Sequence, residues 1–227
     1  MMIKRLVPAI VLLTALVSCS NCAPWQRRAD AVPGGAFNQV YRVFVECVGG
    51  GSGGGAAAAV DERHLITARH VAEMCEQNGQ TTWKITAKSS DGDAYEVVLD
   101  KHAKSGADAS RLVIVGTEEP FLAAQWTDNV SVDEYVCSIG LDSNDMGLAK
   151  ECGIVSEIGW RGTKYIKVTA HWVPGFSGGS VWDENGNSIG IVSQGAWTAD
   201  RPWLVLVVPI SEFRDLLVVE YSPDMGF

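Results

Sequence analysis

Basic residues, internal repeats and histidines are scarce in this sequence. Its 227 residues carry 18 Lys and Arg against 27 Asp and Glu, a net charge of −9 at pH 7. A chain without a basic patch lacks the electrostatic footprint of a nucleic-acid-binding protein. Without sequence repeats, we expect a single domain with one core, or with two small cores that share an interface. Only four histidines are present, which limits the positions that a general base can occupy.

The apolar run near the N-terminus is short for a membrane-spanning helix. Lys4 and Arg5 precede an apolar run over residues 6–17, shorter than the roughly 20 residues that a spanning helix needs. Such a pattern indicates a secretory signal over residues 1–19. The segment 16–19 (LVSC) resembles the lipobox of bacterial lipoproteins, which makes Cys19 the lipidated first residue of the mature protein. The alternatives are an ordinary cleaved signal and an uncleaved anchor; each places the folded part outside the cytoplasm.

Glycine is abundant, with 24 residues, and charged residues make up only 20% of the chain. This composition favours short strands joined by turns over long helices. We interpret the glycine-rich segment 49–55 as a loop inside a domain and expect about two helical turns over residues 71–77. Strands are predicted at 40–48, 82–88, 95–99, 112–115, 130–139, 153–158, 165–169, 188–193 and 204–208. Many short strands at regular spacing are typical of a barrel or a sandwich.

Six cysteines are present, of which Cys19 and Cys22 belong to the leader. The remaining four are Cys47, Cys75, Cys137 and Cys152. In an oxidising compartment they predict two disulfides with three possible connectivities, and four buried free thiols are the alternative.

The sharpest chemical motif is Gly175-Phe176-Ser177-Gly178-Gly179. Glycines around a serine permit a tight turn that projects the hydroxyl and aims backbone N–H groups at the same point. The motif also fits G-x-S-x-G, the nucleophile turn of α/β-hydrolases.

The order of residues along the chain separates these two readings. A nucleophilic serine needs a histidine base and, usually, a carboxylate that orients it. All four histidines, at positions 64, 70, 102 and 171, precede Ser177. An α/β-hydrolase needs a histidine after the serine, and a subtilisin-like order would rest on Asp61, which has no matching context. The order His, Asp, Ser remains.

Three segments then resemble one family. Residues 65–71 (LITARHV) are similar to the histidine segment of trypsin-like serine proteases, residues 174–181 (PGFSGGSV) to their nucleophile segment, and residues 186–193 to the strand that follows. The resemblance covers residues 38–220 and is closest to bacterial trypsin-like and HtrA-like protease domains. It implies an all-β fold of two packed, six-stranded antiparallel β-barrels with a short C-terminal helix. We expect no PDZ domain after it, a tether over residues 20–37, and a tail over residues 221–227.

The resemblance also implies site residues and a function. His70 would be the base, Ser177 the nucleophile and Asp108 the orienting carboxylate, with the N–H groups of Gly175 and Ser177 as the oxyanion hole. Asp108 departs from the usual D-x-A pattern, so Asp93 and Asp100 remain alternatives. The expected activity is serine endopeptidase cleavage of peptide or protein substrates without metal or cofactor. A catalytically inactive binding module and a serine esterase are the rival hypotheses.

Substrate-binding residues follow from the same alignment. Ser193, Gln194 and Gly195 match the segment that pairs with the substrate backbone, and His171 lies where the base of the S1 pocket is expected. His171 either favours an acidic or polar P1 side chain or is hydrogen-bonded within the pocket wall. Phe176 replaces the aspartate of the digestive enzymes, so activation by a new N-terminus is not expected. The family's pattern implies the disulfides Cys47–Cys75 and Cys137–Cys152.

Overall fold

The structure is a computed structural model that describes residues 34–116, 120–141, 147–159, 164–170, 172, 174–198 and 201–218. The predicted signal segment 1–19, with Cys19, lies outside the described residues, and so does His171. Among the helices of the described ranges, none is both long enough and apolar enough to cross a membrane.

The first half of the chain forms a closed antiparallel barrel in the order β1-β2-β3-β6-β5-β4. Alternation of side chains explains its inner face: in β1, Val43 and Val45 are fully buried, whereas Phe44 between them and Arg42 before them are only half-buried. Two short helices, α1 (Arg69–Ala72) and α2 (Met74–Gln77), follow β3. The strands are β1 (Val40–Cys47), β2 (Ser52–Ala59), β3 (His64–Thr67), β4 (Thr82–Lys88), β5 (Ala94–His102) and β6 (Ser110–Ile114).

The second half forms another closed antiparallel barrel in the order β10-β11-β12-β9-β8-β7. Its strands are β7 (Tyr135–Leu141), β8 (Leu148–Ile158), β9 (Ile166–Ala170), β10 (Ser180–Trp182), β11 (Ser188–Thr198) and β12 (Arg201–Pro209). A 3₁₀ helix, Ile210–Glu212, and a short helix, α3 (Arg214–Leu217), end the described chain. The predicted fold of two six-stranded barrels and a short C-terminal helix is confirmed.

Each barrel has its own apolar core, and two further apolar clusters join the barrels. One lies under the 3₁₀ helix Gly34–Gln39, where Ala36 and Val40 pack with residues of β2, β7 and β10. The other packs the loop between β5 and β6 against β11, β12 and α3. Its buried members are Ile66, Ala103, Ala109, Ile191, Val208, Ile210, Phe213 and Leu216. The barrels are therefore docked by burial of apolar surface on both sides of their junction.

The C-terminal helix returns to the first barrel and is tied to it by hydrogen bonds. Arg111, at the start of β6, donates from one terminal nitrogen to the carbonyls of Leu216 and Val218, both at 3.1 Å. Lys101 of β5 donates to the carbonyl of Asp215 at 3.1 Å. These contacts brace the β5–β6 loop from behind.

The glycine-rich segment differs from the prediction. Residues 49–51 form the turn, but residues 52–55 belong to strand β2. The strand pairs Gly55 with Val43, and a Cβ at Gly55 would lie 2.5 Å from the carbonyl oxygen of Ser177. Glycine here serves close approach between two backbones, which composition alone does not distinguish from a flexible loop.

The predicted disulfides are confirmed. Cys47 at the end of β1 is bonded to Cys75 in α2, 28 residues later. Cys137 in β7 is bonded to Cys152 in β8, 15 residues later, across directly paired strand positions. The first bond ties the helix that follows His70 to the barrel wall.

We expect the Cys47–Cys75 bond to contribute more stability than the Cys137–Cys152 bond, because it closes the longer loop. Replacing both cysteines of a pair by serine should lower the free energy of unfolding by about 3.6 and 3.0 kcal/mol respectively. Urea unfolding of the two variants beside the unaltered protein measures both values. A loss below about 1 kcal/mol for either pair would contradict this prediction.

Candidate active site

His70 lies where strand β3 gives way to a helix. The strand ends at Thr67, and α1 begins at Arg69. The Nδ1 atom of His70 lies 2.8 Å from Oδ2 of Asp108, and its backbone N–H donates to Oδ1 of the same carboxylate at 2.9 Å. Two bonds to one carboxylate fix both the backbone and the ring orientation of His70. The imidazole remains 34% exposed, so its other face is open to a ligand.

Asp108 lies in the loop that joins β5 to β6. Ala109 beside it is fully buried, and its carbonyl accepts from the N–H of Ala103 at 3.0 Å, which closes the loop. Burial raises the pKa of the Asp108 carboxyl, but hydrogen bonds from His70 and Ser193, with the charge of His70, outweigh burial and lower that pKa below its usual range. The carboxylate is therefore held in its ionised form.

The two rival aspartates have other partners. Asp100 binds the guanidinium of Arg111, with its Oδ2 2.6 Å from Nε. Asp93 lies in an exposed turn, where its backbone pairs with Ser89. Of the three candidates that the sequence left open, the structure brings only Asp108 to His70.

Ser177 lies at the apex of a turn that leads into β10. The N–H of Gly178 donates to the carbonyl of Val192 at 2.7 Å, and the N–H of Gly179 donates to Phe176 at 2.8 Å. The carbonyl of Ser177 accepts from the N–H of Ala56, in the first barrel, at 2.8 Å. The turn is thus bonded to both barrels through its backbone.

Gly178 is needed both for its conformation and for its lack of a side chain. Its φ is +83°, in the region that residues with a Cβ rarely adopt. A Cβ at this position would lie 2.1 Å from the carbonyl oxygen of Ala56 and 2.3 Å from Oγ1 of Thr67. The glycine lets the Ser177 turn approach the first barrel, at the strand that leads to His70.

The Ser177 hydroxyl and His70 line the same cleft. In the described part of the chain this hydroxyl donates to the carbonyl of Ser193 at 3.3 Å and makes no hydrogen bond with the imidazole. Bonds of this kind are often long in unliganded sites and form when the substrate binds.

The cleft has a volume of about 300 Å³ and a mostly apolar lining. Phe176, which is buried, stacks on Trp172 with ring centroids 6.4 Å apart. The lining residues are His70, Trp172, Pro174, Phe176, Ser177, Val192, Ser193, Gln194, Gly195 and Val205. None of these described residues is Asp, Glu, Lys or Arg.

This geometry agrees with a match between residues 51–191 and the family described as the trypsin-like peptidase domain. The chain belongs to that family. The match includes the histidine helix, the Asp108 loop and the Ser177 turn. No curated protein sequence matches the chain.

Solved structures share the fold of this trypsin-like domain. A serine endoprotease from Yersinia pestis is 19% identical with a TM-score of 0.67, over 84% of this chain and 66% of that one. The HtrA-type protease AlgW with a decapeptide is 19% identical with a TM-score of 0.66, over 84% of this chain and 66% of that one. AlgW with a tripeptide is 21% identical with a TM-score of 0.65, over 85% of this chain and 62% of that one. The chain thus spans slightly less than two thirds of each structure, and identities this low indicate likeness of fold.

The predicted substrate-binding segment of the trypsin-like domain borders the cleft. Ser193, Gln194 and Gly195 lie in β11, where the described pairing of Gln194 and Gly195 is with β12. Their other edge lies beside Ser177.

Gly175, a predicted oxyanion-hole residue, has a φ of +108°, and its carbonyl accepts from the N–H of Leu141 at 3.0 Å.

The side-chain role of Ser193 and the positions of two lining residues, Val192 and Val205, were not predicted from the sequence. Ser193 was expected to act through its backbone, yet its hydroxyl, almost fully buried, donates to Oδ2 of Asp108 at 2.5 Å. Val192 and Val205 line the cleft without having been predicted. The available signal was that Val192 directly precedes Ser193 and that Val205 lies on the predicted strand 204–208. Among the residues that the structure describes, no group of three or more His, Cys, Asp or Glu side chains could hold a metal ion.

We expect Gly178→Ala to destabilise the trypsin-like domain strongly. The added methyl group meets the Ala56 carbonyl in a strained backbone conformation, which costs about 2–5 kcal/mol. Gly79→Ala is the matched control, because Gly79 also has a positive φ of +69° but nothing lies within 4 Å of its Cβ position. The control should cost only about 1–2 kcal/mol. Urea unfolding measures both; equal losses would show that close approach at Gly178 is unimportant.

Proposed function

We propose that this chain is a serine endopeptidase that uses Ser177, His70 and Asp108 as a catalytic triad. The observation that carries the proposal is the carboxylate of Asp108, which accepts from both the ring and the backbone of His70, across the cleft from Ser177. Membership of the trypsin-like peptidase family supports the same activity.

In the proposed reaction the Ser177 hydroxyl attacks the carbonyl carbon of the scissile bond and gives its proton to Nε2 of His70. Asp108 accepts from Nδ1–H and stabilises the imidazolium that forms. The imidazolium then protonates the leaving amine, and water hydrolyses the acyl-enzyme with His70 again as base. The hydroxyl must first leave the Ser193 carbonyl, to which it donates at 3.3 Å, and turn towards Nε2.

The N–H groups of Gly175 and Ser177 are proposed as the oxyanion hole. Each donor of this kind typically contributes about 3–4 kcal/mol to stabilising the transition state. Phe176 between them is buried against Trp172 and has no charge to pair with an N-terminal amine. We therefore propose that the turn adopts its active shape without release of a new N-terminus.

Substrate is proposed to bind as an extended strand along Ser193, Gln194 and Gly195, with backbone hydrogen bonds. Its P1 side chain would enter the cleft between Trp172 and Val205. An apolar wall favours an apolar P1 side chain, because a charged one would be desolvated without a partner.

The N-terminal segment extends the proposal to location. The run over residues 6–17 and the LVSC segment ending at Cys19 support export, followed by membrane attachment through a lipid on Cys19 in the periplasm or at the cell surface. The alternative is secretion after ordinary cleavage of the signal.

We expect a serine-directed phosphonate to label the full chain once, at Ser177. Ser177→Ala should lose labelling and lower kcat for peptide cleavage by about 10⁶-fold, because no other group can form the acyl-enzyme. Ser90→Ala, a change of an exposed serine in the first barrel, is the control and should behave like the unaltered protein.

The same assay separates the rival functions. An unlabelled protein without turnover would favour an inactive binding module, and turnover of esters but not of peptides would favour an esterase. Activity that survives in Ser177→Ala would end the proposal.

We expect an apolar P1 side chain to be preferred over Lys, Arg, Asp or Glu by roughly 100-fold or more in kcat/KM, because the described lining lacks a countercharge. A peptide library that differs only at P1 measures this ratio. Efficient cleavage after Glu or Gln would instead favour the hypothesis that His171 selects polar P1 residues.

A further inference from the structure

We propose that Glu73 and His102 are positioning residues that tie the helix carrying His70 to the strand that follows Asp108. The proposal rests on the triad function given above. Neither residue lines the cleft, and neither contacts His70 or Asp108 through a described side-chain hydrogen bond. Their effect would be transmitted through neighbours along the chain.

Glu73 lies at the end of helix α1, one helical turn after His70. Its carboxylate accepts from Nε of Arg69 at 2.8 Å and from a terminal nitrogen of Arg69 at 3.2 Å. The same carboxylate lies 2.9 Å from Nε2 of His102. Glu73 therefore binds its own helix and the end of strand β5 at the same time.

His102 extends this chain of contacts to Ser110. Its Nδ1 lies 2.7 Å from Oγ of Ser110, the cross-strand partner that opens β6 and is fully buried. A carboxylate only accepts, so Nε2 must carry the proton that points at Glu73. In the neutral ring Nδ1 is then the acceptor of the Ser110 hydroxyl proton. Each polar group in the chain has a partner of the right kind.

The Arg69–Glu73–His102–Ser110 chain, named here the side link, runs beside the triad. Arg69 immediately precedes His70, and Ser110 follows Asp108 by two residues. The His102–Ser110 pair also closes the base of the loop that holds Asp108. The direct His70–Asp108 bonds and the side link thus join the same two segments. Two separate attachments restrict tilting of helix α1 relative to the Asp108 loop more than one attachment would.

Arg69 gives the side link an electrostatic part. The hydrogen bond that Arg69 donates to Glu73 and the charge of Glu73 raise the pKa of the Arg69 guanidinium; burial lowers it by less, and the charge of Asp108 also raises it. Arg69 is thus within electrostatic reach of the carboxylate that His70 needs. Glu73 accepts from Nε and from one terminal nitrogen of this guanidinium, which fixes its orientation beside His70.

The exposure of most side-link residues indicates that the side link affects the catalytic rate more than the folding stability. Ser110 is fully buried, but the side chains of the other three members, Arg69, Glu73 and His102, are 41%, 22% and 29% exposed. Ion pairs with such exposure contribute little to folding, whereas an error of about 1 Å in catalytic geometry can cost about 100-fold in rate.

The test compares Glu73→Ala and His102→Ala with the unaltered full chain, using peptide cleavage and thermal unfolding. We expect kcat to fall about 10-fold with KM unchanged and Tm to fall by no more than about 4 °C. His102→Gln should restore most of kcat, because an amide can donate to Glu73 and accept from Ser110. Glu96→Ala, which removes an exposed ion pair with Lys84 of 3.2 Å in the same barrel, is the control and should leave kcat unchanged.

A second comparison asks whether Glu73 acts through the triad. Asp108→Asn should lower kcat by roughly 10⁴-fold, and adding Glu73→Ala to it should change kcat by less than about 2-fold, because the bond that the side link positions is already lost. A further 10-fold loss in the double variant would mean that Glu73 acts independently of Asp108 and would overturn the proposal.

A measurement that does not depend on turnover distinguishes failure of the side link from failure of the proposed endopeptidase function. The Nδ1 proton of His70, assigned in the NMR spectrum by its loss in His70→Ala, should exchange faster with solvent in Glu73→Ala and His102→Ala than in Glu96→Ala. Faster exchange in a protein that cleaves nothing would support the side link and remove the endopeptidase function. An active enzyme with unchanged exchange and kcat in both variants would remove the side link alone.

Discussion

The carboxylate of Asp108 is the group on which the rest of the site depends. It is mostly buried, and it stays ionised there because His70 donates from its ring and its backbone and Ser193 donates from its hydroxyl. A buried charge without such donors would be strongly unfavourable. The donors come from helix α1 of the first barrel and strand β11 of the second. The Asp108 carboxylate therefore has all of its donors only when the two barrels are docked correctly.

Apolar packing and close backbone approach supply the docking that this charge requires. The clusters around Ala36 and around Phe213 bury the junction on either side, and α3 braces the Asp108 loop through Arg111. Between them the Ser177 turn is bonded to Ala56 through the Ser177 carbonyl. Because Gly55 and Gly178 leave no side chain in that gap, the Ser177 backbone can lie directly against the barrel that carries His70.

The cleft combines this polar cluster with an apolar wall. Trp172 and Phe176 stack beside Ser177, and Val192 and Val205 complete the apolar lining. Apolar surroundings strengthen the hydrogen bonds of the carboxylate and imidazole relative to those in water. The same surroundings disfavour an unpaired charge, because a charged side chain placed in the cleft would lose water without gaining a partner.

The sequence by itself identified His70 and Ser177 as the candidate base and nucleophile, together with their order, the family resemblance and most of the strands. Local patterns carry this information: an apolar strand before a histidine, a serine among glycines, and β-branched runs between turns. It left Asp93, Asp100 and Asp108 as candidates and assigned Ser193 only a backbone role. It also gave residues 52–55 to a loop. Each of these depends on a partner remote along the chain: Asp108 lies 38 residues from His70 and 85 from Ser193. Such contacts exist only once both barrels close and dock, and therefore only the tertiary structure could decide them.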